Sequence, residues 1–224
     1  INSDALKLYM TDVKCLRVPA QKLQEIKLLR SDTPAEQQQS DEIWKQIEQY
    51  RLSNYAAVHY TKAATALLLK NSHETDAPSV SLRLPDSILE QDPYLHAYEQ
   101  AVKSLPIPAA KLYLRFSEVV ASQFGPPAWG TIERMQKLGY QFAIGEFGSK
   151  STDITLLANR VFSMVHFAKE TVQLAQTSPR ADLVFRSTVA MARELGLSVM
   201  VKANSDDATL SYLEDLGVDY IDLL

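Results

Sequence analysis

The sequence lacks several features that would indicate a function directly. It has one cysteine, Cys15, so an internal disulfide framework is excluded and a reducing cytoplasm suits the chain. Its longest apolar run, Ala63–Leu69, falls far short of the roughly 20 residues that a membrane-spanning helix needs. Gly-rich phosphate loops and the Gly-x-Ser-x-Gly nucleophile elbow are both missing. The net charge of −4 gives no reason to expect nucleic-acid binding.

What remains is a chain of 224 residues with 46% hydrophobic content, enough to bury a sizeable core. From about residue 78 onward, short β-type runs alternate with amphipathic helical patterns. Leu-Gly pairs ending at Gly139, Gly196 and Gly217 are typical of helix ends that lead into strands. The predicted strands are Ser79–Leu84, Leu112–Phe116, Phe142–Ile144, Phe162–Phe167, Ser198–Val201 and Tyr220–Leu223. The predicted helices are Tyr94–Leu105, Ala128–Leu138, Asp182–Leu195 and Asp207–Leu216.

The first part of the chain has a different pattern. Lys7–Asp12 and Leu23–Leu29 are predicted to be two strands joined by a loop, and a long helical region, Pro34–Lys70, follows. The most linker-like segment, Asn71–Pro78, is short, so we predict a single domain over residues 1–224. Strand–helix alternation favours a parallel sheet with helical crossovers, which is either a closed β/α barrel or an open doubly wound sheet.

One motif helps to decide between the closed barrel and the open sheet. The strand Tyr140–Ile144 ends in Gly145-Glu146-Phe147-Gly148. This segment resembles the one in bacterial EAL domains, the cyclic-di-GMP phosphodiesterases, that ends in Asp-Asp-Phe-Gly. Further pieces resemble the same family in the same order: Ile26-Lys-Leu-Leu-Arg30, Val80-Ser-Leu-Arg-Leu, Leu112-Tyr-Leu-Arg-Phe-Ser-Glu, Val199-Met-Val-Lys-Ala-Asn-Ser and Leu216-Gly-Val-Asp-Tyr-Ile-Asp. The resemblance implies a TIM-like β/α barrel of the EAL type with an irregular N-terminal strand pair.

The resemblance also implies where a metal site would lie. Active EAL domains hold Mg²⁺ or Mn²⁺ through carboxylates and an Asn at the strand ends, and such hard cations need oxygen ligands. Here Arg83 and Arg115 would place positive charge at the cation positions. We therefore expect no catalytic residues and no bound Mg²⁺ or Mn²⁺. The degenerate positions are Ile26 for the signature Glu, Arg83 for the Asn, Arg115 for the strand Glu, Gly145 and Glu146 for the paired Asp, His166 for the Lys, Ser205 for a later Glu and Asp222 for the Gln.

The assignment of Ile26 depends on which face of its strand points inward. Sliding the comparison by one residue would make Glu25 the signature Glu instead. Strand side chains alternate, so Ile26 and Leu28 share one face and would fill a barrel interior with apolar side chains. On this ground we prefer Ile26.

Four basic residues form a weak candidate site for an anion. Arg30 matches the Arg that contacts a phosphate in cyclic-di-GMP-binding relatives, while Arg83, Arg115 and Lys202 could line a pocket for an anion at the barrel mouth. The alternative, which we favour, is that acidic residues pair with these cations and close the site, because buried positive charges need compensation. The acidic candidates are Glu118, Glu146 and Asp222.

The resulting hypothesis is a catalytically inactive EAL-like domain that acts as a protein-interaction module in bacterial cyclic-di-GMP-related signalling. Its protein partner is not identified by the sequence, and a homodimer is left open. Many relatives carry a GGDEF domain upstream, so we expect the chain to be excised from a longer multidomain protein, located in the cytoplasm or on the cytoplasmic part of a membrane-anchored protein. Two alternatives stay open: a receptor that binds cyclic-di-GMP without hydrolysing it, and a residual metal-dependent phosphodiesterase.

Overall fold

The strands of this chain close into a barrel. The structure, a computed structural model, describes residues 6–17, 22–30, 40–49, 60, 63–64, 66–67, 78–84, 99–100, 102–103, 107–149 and 152–223. The described strands pair in chain order and the last pairs with the first. They are β1 (Leu6–Cys15), β2 (Leu23–Arg30), β3 (Ser79–Arg83), β4 (Leu112–Ser117), β5 (Gln141–Phe147), β6 (Phe162–Phe167), β7 (Ser198–Ala203) and β8 (Tyr220–Leu223).

The first strand runs against the rest of the barrel. Strands β2 to β8 are parallel to one another, whereas β1 is antiparallel to both of its neighbours, β2 and β8. Its register places Val13 opposite Leu23 on one side and Lys14 opposite Ile221 on the other. The predicted barrel with an irregular N-terminal strand pair is therefore confirmed, and the open doubly wound sheet is excluded.

Helices occupy the crossovers between the parallel strands. The described helices are α1 (Ser40–Gln49), α2 (Glu118–Ala121), α3 (Pro126–Lys137), α4 (Lys169–Thr177), α5 (Pro179–Glu194) and α6 (Asp207–Asp215), with 3₁₀ turns at Ala109–Lys111 and Ile154–Ala158. The sequence did not predict α4. The predicted helix Tyr94–Leu105, most of Pro34–Lys70 and the segment Asn71–Pro78 lie largely outside the described residues.

Helix ends are set by local chemistry. The Ser178 hydroxyl accepts a hydrogen bond from the backbone N–H of Ala181, and Pro179 takes the first helical position of α5. Helix α5 stops before Gly196, whose φ of 82° is a left-handed conformation that glycine adopts without strain. The Leu-Gly signal read from the sequence is confirmed here.

The core has two layers. The larger one lies between the strands and the helices and includes Ile26, Trp44 and Phe185. A separate, smaller cluster fills the part of the barrel interior nearest the N-terminal ends of the parallel strands. Its buried members are Val13, Leu23, Ala143, Met164, Met200 and Tyr220.

Candidate functional site

A layer of polar and charged side chains lies directly above the apolar interior layer, toward the C-terminal ends of the strands. Side chains of a strand alternate between faces, so the residue two positions after an interior residue also points inward. Applying this to Leu23, Ala143, Met164, Met200 and Tyr220 gives five members of the layer. Those members are Glu25, Gly145, His166, Lys202 and Asp222, and Arg83 and Arg115 join them from β3 and β4.

Arg115 is the centre of this layer. It is 6% exposed, and its guanidinium donates to the carboxylate of Glu25 and contacts Nδ1 of His166. Because a guanidinium has only donors, Nδ1 of His166 acts as the acceptor, and the ring proton of the neutral imidazole belongs on Nε2. An arginine, a glutamate and a histidine thus form one buried cluster.

This geometry corrects the predicted orientation of β2. Glu25, not Ile26, points into the barrel and so takes the position assigned to the signature Glu, and Ile26 belongs to the layer between strands and helices. The prediction was wrong because helices cover the outer face of a barrel strand, so an apolar side chain is buried on either face. The charge of Arg115 inside the barrel is what places the carboxylate of Glu25 there.

A second ion pair joins β3 to the end of β5. Arg83 Nη1 lies 2.6 Å from Glu146 Oε1. Among the described residues, Glu146 is the one non-glycine with a positive φ, 55°. The pairing of β5 with β6 shifts register between Ile144 and Phe147, so Glu146 lies in a bulge. The bulge aims this carboxylate at Arg83, and the predicted pairing of Glu146 with a cation of the layer is confirmed.

A third ion pair involves β2 and β8. Lys27 Nζ lies 2.5 Å from Asp222 Oδ1, and the Asp222 side chain is 3% exposed. Lys202 is the register neighbour of Asp222 on β7 and is also buried. The sequence analysis missed Lys27 for the same reason that it missed Glu25. Both share the inward face of β2, and reading the strand in the other phase would have found them.

Glu118 has a different role from the predicted one. Its carboxylate accepts hydrogen bonds from the backbone N–H of Gly148 at 3.0 Å and of Asp153 at 2.7 Å. The prediction that Glu118 pairs with the arginines was therefore wrong. It lies at the start of α2, just beyond the end of β4, and it holds the loop that follows β5.

Burial has opposing effects on these carboxyl groups. Desolvation raises the pKa of Glu25 above its ordinary value, and the neighbouring guanidinium of Arg115 opposes that rise. Burial also raises the pKa of Glu118, against the lowering effect of its two backbone hydrogen bonds. Both groups thus hold their protons more tightly in the folded chain than in water.

The remaining predicted residues lie away from the cluster or outside the described part. Ser205 is exposed in the connection between β7 and α6. The backbone of Arg30 ends β2, but its side chain falls outside the described part of the structure. The structure thus brings together Arg83, Arg115, His166 and their acidic partners without Ser205.

The comparisons with known proteins fit this geometry. A model of the EAL domain family matches residues 27–222, most of the chain. The chain belongs to the EAL domain family. EAL domains are a family of cyclic-di-GMP signalling, so this membership agrees with the resemblance read from the sequence.

Individual relatives of this EAL domain are distant. The curated cyclic-di-GMP phosphodiesterase RocR of Pseudomonas aeruginosa is 31% identical over 84 residues, which cover 38% of this chain and about a fifth (21%) of RocR. The FimX EAL domain from Pseudomonas aeruginosa, solved bound to cyclic-di-GMP, superimposes with a TM-score of 0.79 at 17% identity, covering 99% of this chain and 89% of that one. An EAL domain protein from Listeria monocytogenes EGD-e gives 0.76 at 16% identity, with 97% and 85% covered. These structural likenesses show the fold alone.

The donor set of this EAL domain fits a divalent cation poorly. Within the described ranges, no three His, Cys, Asp or Glu side chains are grouped to hold a metal ion. The inward carboxylates of Glu25, Glu146 and Asp222 are each bonded to a basic side chain.

In the described helices, no segment combines the length and apolarity that a bilayer crossing requires.

Proposed function

We propose that this EAL domain does not hydrolyse cyclic-di-GMP and that it serves as a protein-interaction module in cyclic-di-GMP-related signalling. The observation that carries the proposal is the buried guanidinium of Arg115 inside the barrel, bonded to Glu25 and His166. A second guanidinium, that of Arg83, lies on the neighbouring strand and is bonded to Glu146.

The electrostatic argument is simple. Two like unit charges about 4 Å apart repel by roughly 4 kcal/mol at an effective dielectric of about 20. A divalent cation next to Arg115 would meet at least that repulsion, and a two-metal site would meet it twice. The carboxylates that would offset it are already engaged with Arg83, Arg115 and Lys27. In metal-dependent hydrolysis the bound cation lowers the pKa of the attacking water, so its exclusion would remove that activation step.

Exposed aliphatic side chains support the interaction role. Leu174 on α4 is 59% exposed, and Leu183 and Val184 on α5 are 66% and 65% exposed. Helices α4 and α5 are consecutive in the chain and pack against each other. Exposed apolar side chains on two packed helices are candidates for a protein-binding face.

Hydrolysis is tested directly. The purified chain is incubated with cyclic-di-GMP and Mn²⁺ or Mg²⁺, and chromatography measures the linear dinucleotide, with RocR as the hydrolysing control. We expect no more linear dinucleotide than in a blank that contains cyclic-di-GMP and the metal ion but no protein. Metal-dependent product from the wild-type chain, abolished in E25Q, would overturn the proposal and favour the residual phosphodiesterase.

Binding is tested separately by calorimetry with cyclic-di-GMP, with and without Mg²⁺. We expect no saturable heat in either titration. Saturable binding without product formation, lost in Arg30→Ala, would instead favour the receptor alternative.

The interaction role has its own test. Proteins captured on the immobilised chain are compared between wild type, Leu183→Asp and Ser211→Asp, which changes an exposed polar residue of another helix, α6. We expect a partner that is lost with Leu183→Asp and retained with Ser211→Asp. If capture is unaffected by both variants, α5 is not the binding face.

A further inference from the structure

Gly145 at the end of β5 lies against the aliphatic part of Arg115. A Cβ atom built at Gly145 would lie 2.9 Å from Arg115 Cγ, 3.0 Å from Arg115 Cδ and 3.2 Å from the backbone oxygen of Phe116. Carbon atoms in contact normally lie about 3.5–4.0 Å apart. Arg115 therefore passes through the space that any side chain at position 145 would start to fill.

Arg115 has little freedom to yield this space. Its guanidinium end is held by Glu25 and His166, on strands at different points of the barrel. Moving Cγ and Cδ outward would pull the guanidinium away from at least one of these partners. Breaking a buried ion pair is strongly destabilising because it leaves a buried charge uncompensated.

We infer that Gly145 is the positioning residue for Arg115, and that the two positions form one structural unit. The missing side chain at 145 is what allows Arg115 to cross the barrel and reach Glu25. A carboxylate at position 145 and the present conformation of Arg115 exclude each other sterically. Restoring an aspartate at 145 alone would therefore disrupt the arginine cluster before it offered a metal ligand.

A double-mutant cycle tests this unit. Gly145→Ala is introduced into wild type, Arg115→Met and Arg115→Ala, and the thermal midpoint is measured by circular dichroism. Methionine keeps Cγ and the rest of an unbranched stem without the charge, whereas alanine removes the stem. The matched control is Gly130→Ala in α3, where an added Cβ meets nothing within 4 Å.

The expected pattern separates steric coupling from other causes. Gly145→Ala lowers the midpoint by about 2–12 °C in wild type, by less in Arg115→Met, whose stem is not anchored and can move aside, and by the smallest amount in Arg115→Ala. Gly130→Ala shifts the midpoint equally in all three backgrounds. An equal loss from Gly145→Ala in every background would overturn the inference. If Arg115→Ala does not fold, Arg115→Ala with Glu25→Gln replaces it as the background, since it leaves no unpaired carboxylate.

A spectroscopic measurement distinguishes positioning from general destabilisation. The ¹⁵N chemical shifts of the His166 ring report the hydrogen bond at Nδ1. We expect them to change in Gly145→Ala, because Arg115 is displaced, and to stay unchanged in Gly130→Ala. Unchanged His166 shifts in folded Gly145→Ala would contradict the positioning role.

The coupling between Gly145 and Arg115 has functional significance only if the proposed loss of hydrolysis holds. A Mn²⁺-binding measurement distinguishes failure of the coupling from failure of the proposed function. Saturable Mn²⁺ binding to the wild-type chain would defeat the proposed loss of metal while leaving the coupling between Gly145 and Arg115 intact. An additive cycle in a chain that binds no Mn²⁺ would defeat the coupling alone.

Discussion

Replacing Glu146 separates two effects that act on the same residue. Its carboxylate bonds Arg83, which is 4% exposed, and its backbone has a φ of 55°. Glu146→Ala removes the ion pair and keeps a Cβ in the left-handed region. Glu146→Gly removes the same ion pair and also relieves the backbone. The two variants differ by one methyl group, so their difference isolates the backbone term.

The magnitudes follow from the geometry. A hydrogen bond to a charged group contributes about 1.5–3 kcal/mol, and the Glu146 side chain is 27% exposed, so the lower half of that range applies. For a chain of this size each kcal/mol moves the thermal midpoint by about 2–4 °C. We expect Glu146→Ala to melt about 3–9 °C below wild type. A left-handed backbone costs a residue with a Cβ about 1–2 kcal/mol, so Glu146→Gly should melt about 2–8 °C above Glu146→Ala.

The assay is thermal unfolding followed by circular dichroism, with Glu133 as the matched position. Glu133 is exposed in the middle of α3, where alanine is favoured over glycine by about 1 kcal/mol. The order of the Ala and Gly variants should therefore invert between positions 146 and 133. If Glu146→Gly melts below Glu146→Ala, the backbone argument is refuted. If Glu146→Ala costs as much in an Arg83→Met background as in wild type, the ion-pair argument is refuted.

Three further predictions concern the barrel and its loops. The raised pKa of Glu25 means that its contribution to stability is complete below its ordinary pKa of 4.5 and is lost as the pH rises through the raised value. The urea-unfolding free energy of wild type should therefore fall relative to Glu25→Gln as the pH increases above 4.5, and a flat difference would contradict this. Glu118→Gln should speed amide hydrogen exchange at Gly148 and Asp153, measured by NMR, because a neutral amide holds these N–H groups less strongly; unchanged protection would count against the loop-holding role. Phe185→Ala should lower the thermal midpoint by about 6–20 °C, because removing this fully buried ring costs about 3–5 kcal/mol of unfolding free energy. A loss under about 1 kcal/mol would contradict this and would show that neighbouring side chains move in to fill the space.

Much of the fold could be predicted from the sequence because its signals are local. Strands β6 and β8 were predicted with the bounds that the structure shows, and the Leu-Gly stops mark real helix ends. The end of β5 was predicted too short, since the strand continues through Gly145 and the bulge at Glu146, where a glycine and a left-handed residue hide the strand pattern. Helix α4 was missed because the sequence analysis assigned no element to residues 168–181, although Ser178 and Pro179 mark the helix start that separates Lys169–Thr177 from α5.

The site was harder to predict than the fold, for a physical reason. Alternation divides β2 into two faces, and both faces are buried in a barrel surrounded by helices. Hydropathy therefore does not decide whether Ile26 or Glu25 points inward. That decision is made by Arg115, 90 residues further along the chain. The basic residues Arg83 and Arg115 were predicted from the sequence. Of their acidic partners, Glu146 was predicted and Glu25 was not.

The antiparallel first strand has a consequence for folding. Strand β1 bonds to β8 through Lys14 and Ile221, so the barrel wall is completed by segments from opposite ends of the described chain. Contacts of such large sequence separation form slowly. During synthesis, β1 can pair with β2 early but has to wait for β8, and until then two strand edges, on β1 and β7, present unpaired N–H and C=O groups to other molecules. The open edges of β1 and β7 therefore favour association with other chains until β8 is made.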